Sequence, residues 1–256
     1  MKKINITITG ALGKMGKILI HEIKENKKLN LYSLIDIKNK KYIGLDVKKI
    51  NPESFYKTDV IIDFSRPEGC MEVLKYALKF NKKLIIGTTG FKEKQEKLII
   101  KASKKIAIFK SGNMSPGINM LEYLIKIAAK KIPKNYNIGI FDNHHKNKID
   151  YPSGTALMLA KVLATSKNKK LNSIYGRCFL NKSGFFNKNK INFFITRKGK
   201  TVGVHSVQFN NNIEKIEIKH EAFSRKLFAQ GALDASMWLN KKNKGLYNMQ
   251  DIYNLK

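Results

Sequence analysis

A chain of 256 residues with 43% apolar side chains can bury one large core or two modest ones, and that composition excludes a disordered or fibrous protein. Lys and Arg number 50 against 19 Asp and Glu, a formal charge of +31, but only four of them are Arg, the better reader of phosphate and guanine, so nucleic-acid binding is disfavoured as the main function. No stretch reaches transmembrane length, and two cysteines, Cys70 and Cys178, are too few for a disulfide framework or a cysteine zinc site.

The N-terminus interrupts its apolar residues with polar ones and lacks the continuous apolar run of a signal peptide, so a cytoplasmic protein is expected. Ile4, Ile6 and Ile8 alternate in a β-rich run that leads into Gly10-Ala11-Leu12-Gly13-Lys14-Met15-Gly16. Met15, Ile18, Leu19 and Ile23 then recur at helical spacing. A glycine turn between a strand and a helix lets backbone approach a pyrophosphate while the helix N-terminus faces its charge. The spacing is G-x-x-G-x-x-G, with Leu12 where the commonest fingerprint has glycine, so a tight turn without a ligand is the competing reading.

Leu31 to Ile35 form the next apolar run and end at Asp36, about where an acidic residue takes the adenosine ribose hydroxyls. Its carboxylate would repel a 2′-phosphate and Lys38 would partly offset this. NADH is therefore expected to be preferred, with NADPH tolerated; a strand-end turn is the bland alternative. Val60 to Phe64 leads into Ser65-Arg66-Pro67, Leu84 to Ile86 into Gly87-Thr88-Thr89-Gly90, and Ile106 to Phe109 into Lys110-Ser111-Gly112-Asn113-Met114. Small polar residues at the ends of successive strands are expected to line the ligand crevice of an open parallel sheet of the Rossmann type.

Pro116 opens an amphipathic helix (Ile118, Leu121, Leu124, Ile125, Ala128), and Ile138 to Phe141 read as a strand running into a histidine stretch. A helix over 155–164 follows. Segments 190–196, 201–209 and 213–220 alternate apolar and polar residues and are expected to form an antiparallel sheet with one solvated face, and 225–239 has helical periodicity. The expected class is therefore α/β, with a Rossmann-type sheet domain and an inserted α+β domain whose sheet is mostly antiparallel.

The densest chemistry lies between Asp142 and Ala156. His144, His145 and Lys148 supply proton-transfer groups and positive charge, and Pro152-Ser153-Gly154-Thr155 opens a helix whose first N–H groups suit an anion, with Ser153 as N-cap. Adjacent histidines can also hold zinc, but no cysteine or third histidine nearby in sequence completes a set, and no metal is expected. His144 could be a structural histidine, and Lys148 a solvated lysine. His21, His205 and His220 read as structural.

Taken in order, the glycine turn with Met15, Asp63-Phe64-Ser65-x-Pro67, Gly87-Thr88-Thr89-Gly90, Asn113-Met114-Ser115, His144-His145-x-x-Lys148-x-Asp150-x-Pro152-Ser153-Gly154-Thr155-Ala156 and His220-x-Ala222-x-Ser224-Arg225 resemble the dihydrodipicolinate reductases, the 4-hydroxy-tetrahydrodipicolinate reductase family. That resemblance implies an NAD(P)H-dependent reduction with loss of water, in lysine and diaminopimelate synthesis, by a homotetramer. It implies a dinucleotide-binding domain over 1–114, a substrate-binding and tetramerisation domain over 115–224, and a C-terminal helix in 225–256 that returns to the first.

Carried over by position, Gly10, Ala11, Leu12, Gly13, Lys14 and Met15 would hold the pyrophosphate and Asp36 the ribose. Gly87, Thr88 and Thr89 with Ser111, Gly112, Asn113 and Met114 would line the nicotinamide side. His144 would be the proton donor and acceptor, Lys148 a second proton donor, and His145, Gly154 and Thr155 substrate-binding. The family commonly has Glu-Arg where this chain has Asp36-Ile37, and Glu where it has Asp142. The competing assignments are another nicotinamide-dependent dehydrogenase of similar architecture and a lysine-rich nucleic-acid binder.

Overall fold

The computed structural model describes residues 2–184 and 186–255, which divide into two compact units, Met1–Ser115 with Arg225–Lys256, and Pro116–Ser224. The first begins with β1 (Ile4–Thr9), α1 (Lys14–Glu25), β2 (Leu29–Ile35), the short β3 (Lys40–Tyr42) and β4 (Leu45–Lys48), then β5 (Val60–Asp63), α2 (Pro67–Lys79), β6 (Lys83–Ile86), α3 (Glu93–Ser103) and β7 (Ala107–Lys110). The second holds α4 (Pro116–Lys131), β8 (Asn137–His144), α5 (Gly154–Ser166), α6 (Leu171–Ile174), β9 (Tyr175–Leu180), β10 (Ile191–Arg197), β11 (Gly203–Asn210) and β12 (Lys215–Ala222). The chain returns to the first unit through α7 (Lys226–Leu239), β13 (Gly245–Tyr247) and α8 (Met249–Ile252). Among the described residues no helix is long and apolar enough to cross a membrane.

The eight strands of the first sheet run in the order β13-β7-β6-β5-β1-β2-β4-β3, and every pairing except β3 with β4 is parallel. Central parallel strands are covered on both faces, which is why Val60-Ile61-Ile62 and Leu84-Ile85-Ile86 are continuous apolar runs rather than alternating ones. Ile6, Ile8 and Ile62 pack with α1 and α7 on one side, while Ile61, Leu84 and Ile86 pack with α2 and α3 on the other. Helix α1 buries Gly16, Leu19, Ile20 and Ile23, a single stripe at helical spacing. From β1 the chain goes outward to β2 and later returns to β5 on β1's other side. The strand order therefore reverses at β1, the place where open α/β sheets take their ligands.

The second sheet has the order β12-β11-β8-β10-β9 and packs one face against α4 and α5. Of the three segments expected to pair antiparallel, β11 and β12 do so, with β8 antiparallel on the other side of β11, whereas β10 departs and runs parallel between β8 and β9. Its composition explains the place. Ile191, Phe193 and Ile195 belong to the helix-covered core, while Phe194 stacks on Phe141 at 4.6 Å and on Phe179 at 5.4 Å on the opposite face. A strand apolar on both faces suits an interior position. The face away from the helices is therefore half aromatic rather than simply solvated.

Helix α7 lies close to the β7–α4 connection: a Cβ on Gly231 would overlap the Met114 carbonyl oxygen. Overpacking of that kind costs about 1–3 kcal/mol, or roughly 2–12 °C in a chain of this length. Gly231→Ala should lower Tm by several degrees in a thermal melt, and an unchanged Tm would show that α7 can retreat from Met114 without loss.

Candidate active site

Strand β8 runs three residues further than its apolar run, so His144 is its last residue. Ile138 and Ile140 face the helices, and the two-residue period carries Asp142 and His144 onto that same buried side. Register adds the neighbours. Arg197 of β10 lies opposite His144, and His205 of β11 lies opposite Asp142. At this end of the core the side chains change from apolar to charged.

Asp142, 1% exposed, is the centre of the cluster. His144 Nδ1 lies 2.8 Å and His205 Nε2 3.4 Å from its Oδ1, while Arg197 Nη2 and the Ser153 backbone N–H donate to Oδ2 at 2.9 and 2.8 Å. Arg197 also donates through Nη1 to the Asp142 carbonyl and through Nη2 to the Asp150 carbonyl, each at 2.9 Å. The His144 and His205 rings meet edge to face at 4.9 Å. A Cβ on Gly203 would sit 3.0 Å from His144 Nε2, so a glycine there keeps that nitrogen uncrowded.

Ser153 is the N-cap of α5, as its sequence position suggested. Its Oγ accepts from Ala156 N at 3.2 Å and lies 3.2 Å from His205 Nε2. Gly154 and Thr155 thus form the first turn of a helix with no acidic residue in that turn, close to the Asp142 cluster. His145 follows the strand and donates its N–H to the Thr201 carbonyl. Lys148 Nζ pairs with both carboxylate oxygens of Asp150 at 2.7 Å.

Burial alone would raise the Asp142 carboxyl, but the close approach of His144 and His205 and the hydrogen bonds from Arg197 and Ser153 outweigh it and hold the group well below the usual carboxylate range. Burial lowers His205 despite the Asp142 charge beside it, and burial with the neighbouring His205 lowers His220, which lies opposite it on β12. A cation is also conceivable here, since fold rather than sequence proximity supplies the third group: ligand atoms of Asp142, His144 and His205 lie within 4.8 Å of one another. Arg197 already provides the positive charge on Asp142, and a divalent ion would meet it at close range. The arrangement suits an oriented imidazole better than a metal.

In the first unit the proposed cofactor residues fall at the carboxyl ends of neighbouring strands. Gly10 to Met15 follow β1, Asp36 follows β2, Gly87 to Thr89 follow β6, and Ser111 to Met114 follow β7. Gly10 has φ +77°, and a Cβ on it would overlap the Phe64 carbonyl, so only glycine fits. A Cβ on Gly16 would overlap the Gly10 carbonyl, which fixes how tightly α1 packs on the turn. Helix α1 starts without a side-chain cap and without an acidic residue in its first turn, the condition a phosphate-binding N-terminus requires. A cavity of about 350 Å³ beside the turn is lined by Thr9, Gly10, Asp36, Ile37 and Ser65 among others. Asp36 accepts the Leu12 N–H at 2.8 Å, linking the end of β2 to the glycine turn. These residues fit a dinucleotide.

His144, Ser153, Gly154 and Thr155, singled out in sequence, lie at the Asp142 cluster, with His145 and Lys148 on the loop after β8; Arg197 was not singled out, and His205 read as structural. A signal for Arg197 existed, since it is one of only four arginines in a lysine-rich chain. His205 stands on an alternating strand, in a His205-Ser206-Val207 run that also resembles the family.

His205 and His220 protonate more readily in the unfolded chain, where the ordinary value is about 6.5. Their contribution to stability is complete above that pH and is lost as pH falls below it; Asp142 adds a loss in the same direction from about pH 4 downward. Tm should therefore fall as pH is lowered from about 7 to 5, with a shallower slope in His205→Gln. A Tm that is level or rises over that range would contradict the burial of neutral imidazoles.

Comparison with known proteins agrees with this geometry. The family model described as dihydrodipicolinate reductase, N-terminus, matches residues 4–114, and that described as dihydrodipicolinate reductase, C-terminus, matches 117–253. The chain is 48% identical to the 4-hydroxy-tetrahydrodipicolinate reductase of Pelagibacter ubique, covering 100% of both, and 46% identical to that of Buchnera aphidicola subsp. Cinara cedri, covering 98% and 97%. In fold it resembles a dipicolinate-bound dihydrodipicolinate reductase from a Paenisporosarcina species, with TM-score 0.77 and 22% identity over 98% of this chain and 99% of that one. Two family models matched in sequence order, with full-length relatives at this level of identity, place the chain in the dihydrodipicolinate reductase family.

Proposed function

We propose that the chain catalyses the reduction its relatives are named for, converting 4-hydroxy-tetrahydrodipicolinate to tetrahydrodipicolinate with loss of water, in lysine and diaminopimelate synthesis. The observation that carries this reading is the oriented imidazole of His144, held through Nδ1 by a buried carboxylate at 2.8 Å and adjoining the first turn of α5. Its family uses a nicotinamide cofactor, which supplies the hydride when bound.

The protein's share is to hold the dicarboxylate and move a proton. Loss of water from the substrate leaves a conjugated imine, and hydride addition to its ring leaves an enamine that needs a proton. With Nδ1 beside Asp142, the doubly protonated His144 ring gives the enamine its Nε2 proton, is left neutral with Nδ1–H, and takes a proton back from solvent before the next turnover. The Gly154 and Thr155 turn takes a substrate carboxylate on backbone N–H groups, with His145 beside it. Lys148 exchanges Asp150, which is largely exposed, for a substrate carboxylate and assists proton delivery. Arg197 and His205 keep Asp142 in place rather than touching substrate.

For the cofactor, Gly10 to Met15 hold the pyrophosphate, Asp36 the adenosine ribose, and Gly87 to Thr89 with Ser111 to Met114 the nicotinamide side. Asp36 favours NADH over NADPH because a second anion would meet its carboxylate, with Lys38 making NADPH tolerable. A homotetramer in the cytoplasm is the accompanying expectation.

Freshly generated 4-hydroxy-tetrahydrodipicolinate should drive NADH oxidation, with kcat/KM higher for NADH than for NADPH. His144→Gln should lower kcat by about 10²–10⁴ and leave NADH affinity nearly unchanged. An unchanged kcat would reject the proton-transfer role, a strong NADPH preference would reject the Asp36 argument, and salt-sensitive DNA binding without turnover would favour the lysine-rich binder instead.

A further inference from the structure

The first unit contains a second fully buried carboxylate that the reading above leaves unused. Asp63 is the last residue of β5, 0% exposed, and lies in register with Thr9 of β1 and Ile86 of β6. Its Oδ1 accepts from the Thr9 hydroxyl and from Ser65 Oγ at 2.6 Å, and its Oδ2 accepts from Thr88 Oγ1 at 2.6 Å. Thr88 Oγ1 in turn accepts the Ser65 backbone N–H at 2.9 Å. Cys70 completes the surroundings, its thiol pushed well above the ordinary range by burial and then by the Asp63 charge.

Each partner begins or adjoins a different loop: Thr9 precedes the glycine turn, Ser65 follows β5, and Thr88 follows β6. The backbone is drawn together in the same place. Phe64 N donates to the Thr9 carbonyl at 3.0 Å and Gly87 N to the Asp63 carbonyl at 2.8 Å. A Cβ on Gly10 would overlap the Phe64 carbonyl, and one on Gly87 would overlap the Phe64 ring. Hydrogen bonds to an ionised acceptor are the stronger kind, and a hydroxyl that donates to a buried carboxylate has its rotor fixed. Three loops that would otherwise move independently share one anchor.

We propose that Asp63 is a positioning residue for the cofactor site, locking the glycine turn, the β5 loop and the β6 loop in one mutual arrangement through Thr9, Ser65 and Thr88. It is shut off from solvent and touches no ligand itself. The inference rests on the cofactor reading above, and it adds that affinity for the dinucleotide is set partly by a group behind the site.

NADH binding by the full-length chain, followed by fluorescence titration beside Tm and kcat at saturating NADH, separates positioning from simple support. Asp63→Asn should raise the NADH Kd about tenfold with kcat within about threefold of wild type, Thr9→Val should raise the Kd likewise, and Thr9→Ser should restore wild-type affinity. If Asp63→Asn does not fold, the Thr9→Val and Thr9→Ser pair decides alone. Variants that lose only Tm while binding NADH as wild type does would overturn the proposal by itself. A wild-type chain that binds neither NADH nor NADPH would overturn the cofactor reading and this inference together.

Discussion

A carboxylate taken out of water is among the least favourable groups a fold can contain, and Asp142 is tolerable only because donors from four elements converge on it. It belongs to β8, Arg197 to β10, His205 to β11 and Ser153 to the start of α5, so the charge can be satisfied only when all four are assembled. Removing one partner leaves another buried and unpaired, which typically costs about 3–5 kcal/mol. The orientation of His144 and the folding of the second unit are therefore the same requirement. His144 inherits its orientation from a network whose other members have no need to meet substrate.

Asp63 plays a comparable part in the first unit with hydroxyls in place of charged donors. Both carboxylates sit at the carboxyl end of an interior strand, where apolar packing gives way to loops. At such a place a sheet has fixed positions to offer but no side chains of its own to hold the loops, and one buried acceptor can hold several. The surplus of lysine belongs to a different level of the protein. It sets the long-range field, which draws in anionic ligands at low salt, and takes no part in either network.

Much of this was legible in sequence because it depends on local pattern. Strand–turn–helix order around Gly10, the apolar runs of β5 and β6, the α5 cap at Ser153 and the helical stripe of α7 all follow from spacing within a few residues. What was hidden depends on register between distant strands. Arg197 and His205 lie 55 and 63 positions beyond Asp142 in the chain, and nothing local tells that β10 inserts beside β8 instead of pairing with β11. Asp63 could be quoted as part of a motif, yet its role as a shared acceptor needed the sheet order β6-β5-β1.

The central claim is that Asp142 fixes His144 as the Nδ1–H tautomer, leaving Nε2 as the nitrogen that serves the substrate. Nitrogen-15 NMR of the His144 ring in the neutral form reads this directly, with and without pyridine-2,6-dicarboxylate as a substrate-like dianion. The account predicts a protonated Nδ1 and an unprotonated Nε2 whose resonance moves when the dianion binds. A neutral ring protonated at Nε2 in place of Nδ1, or one whose resonances ignore the dianion, would contradict it.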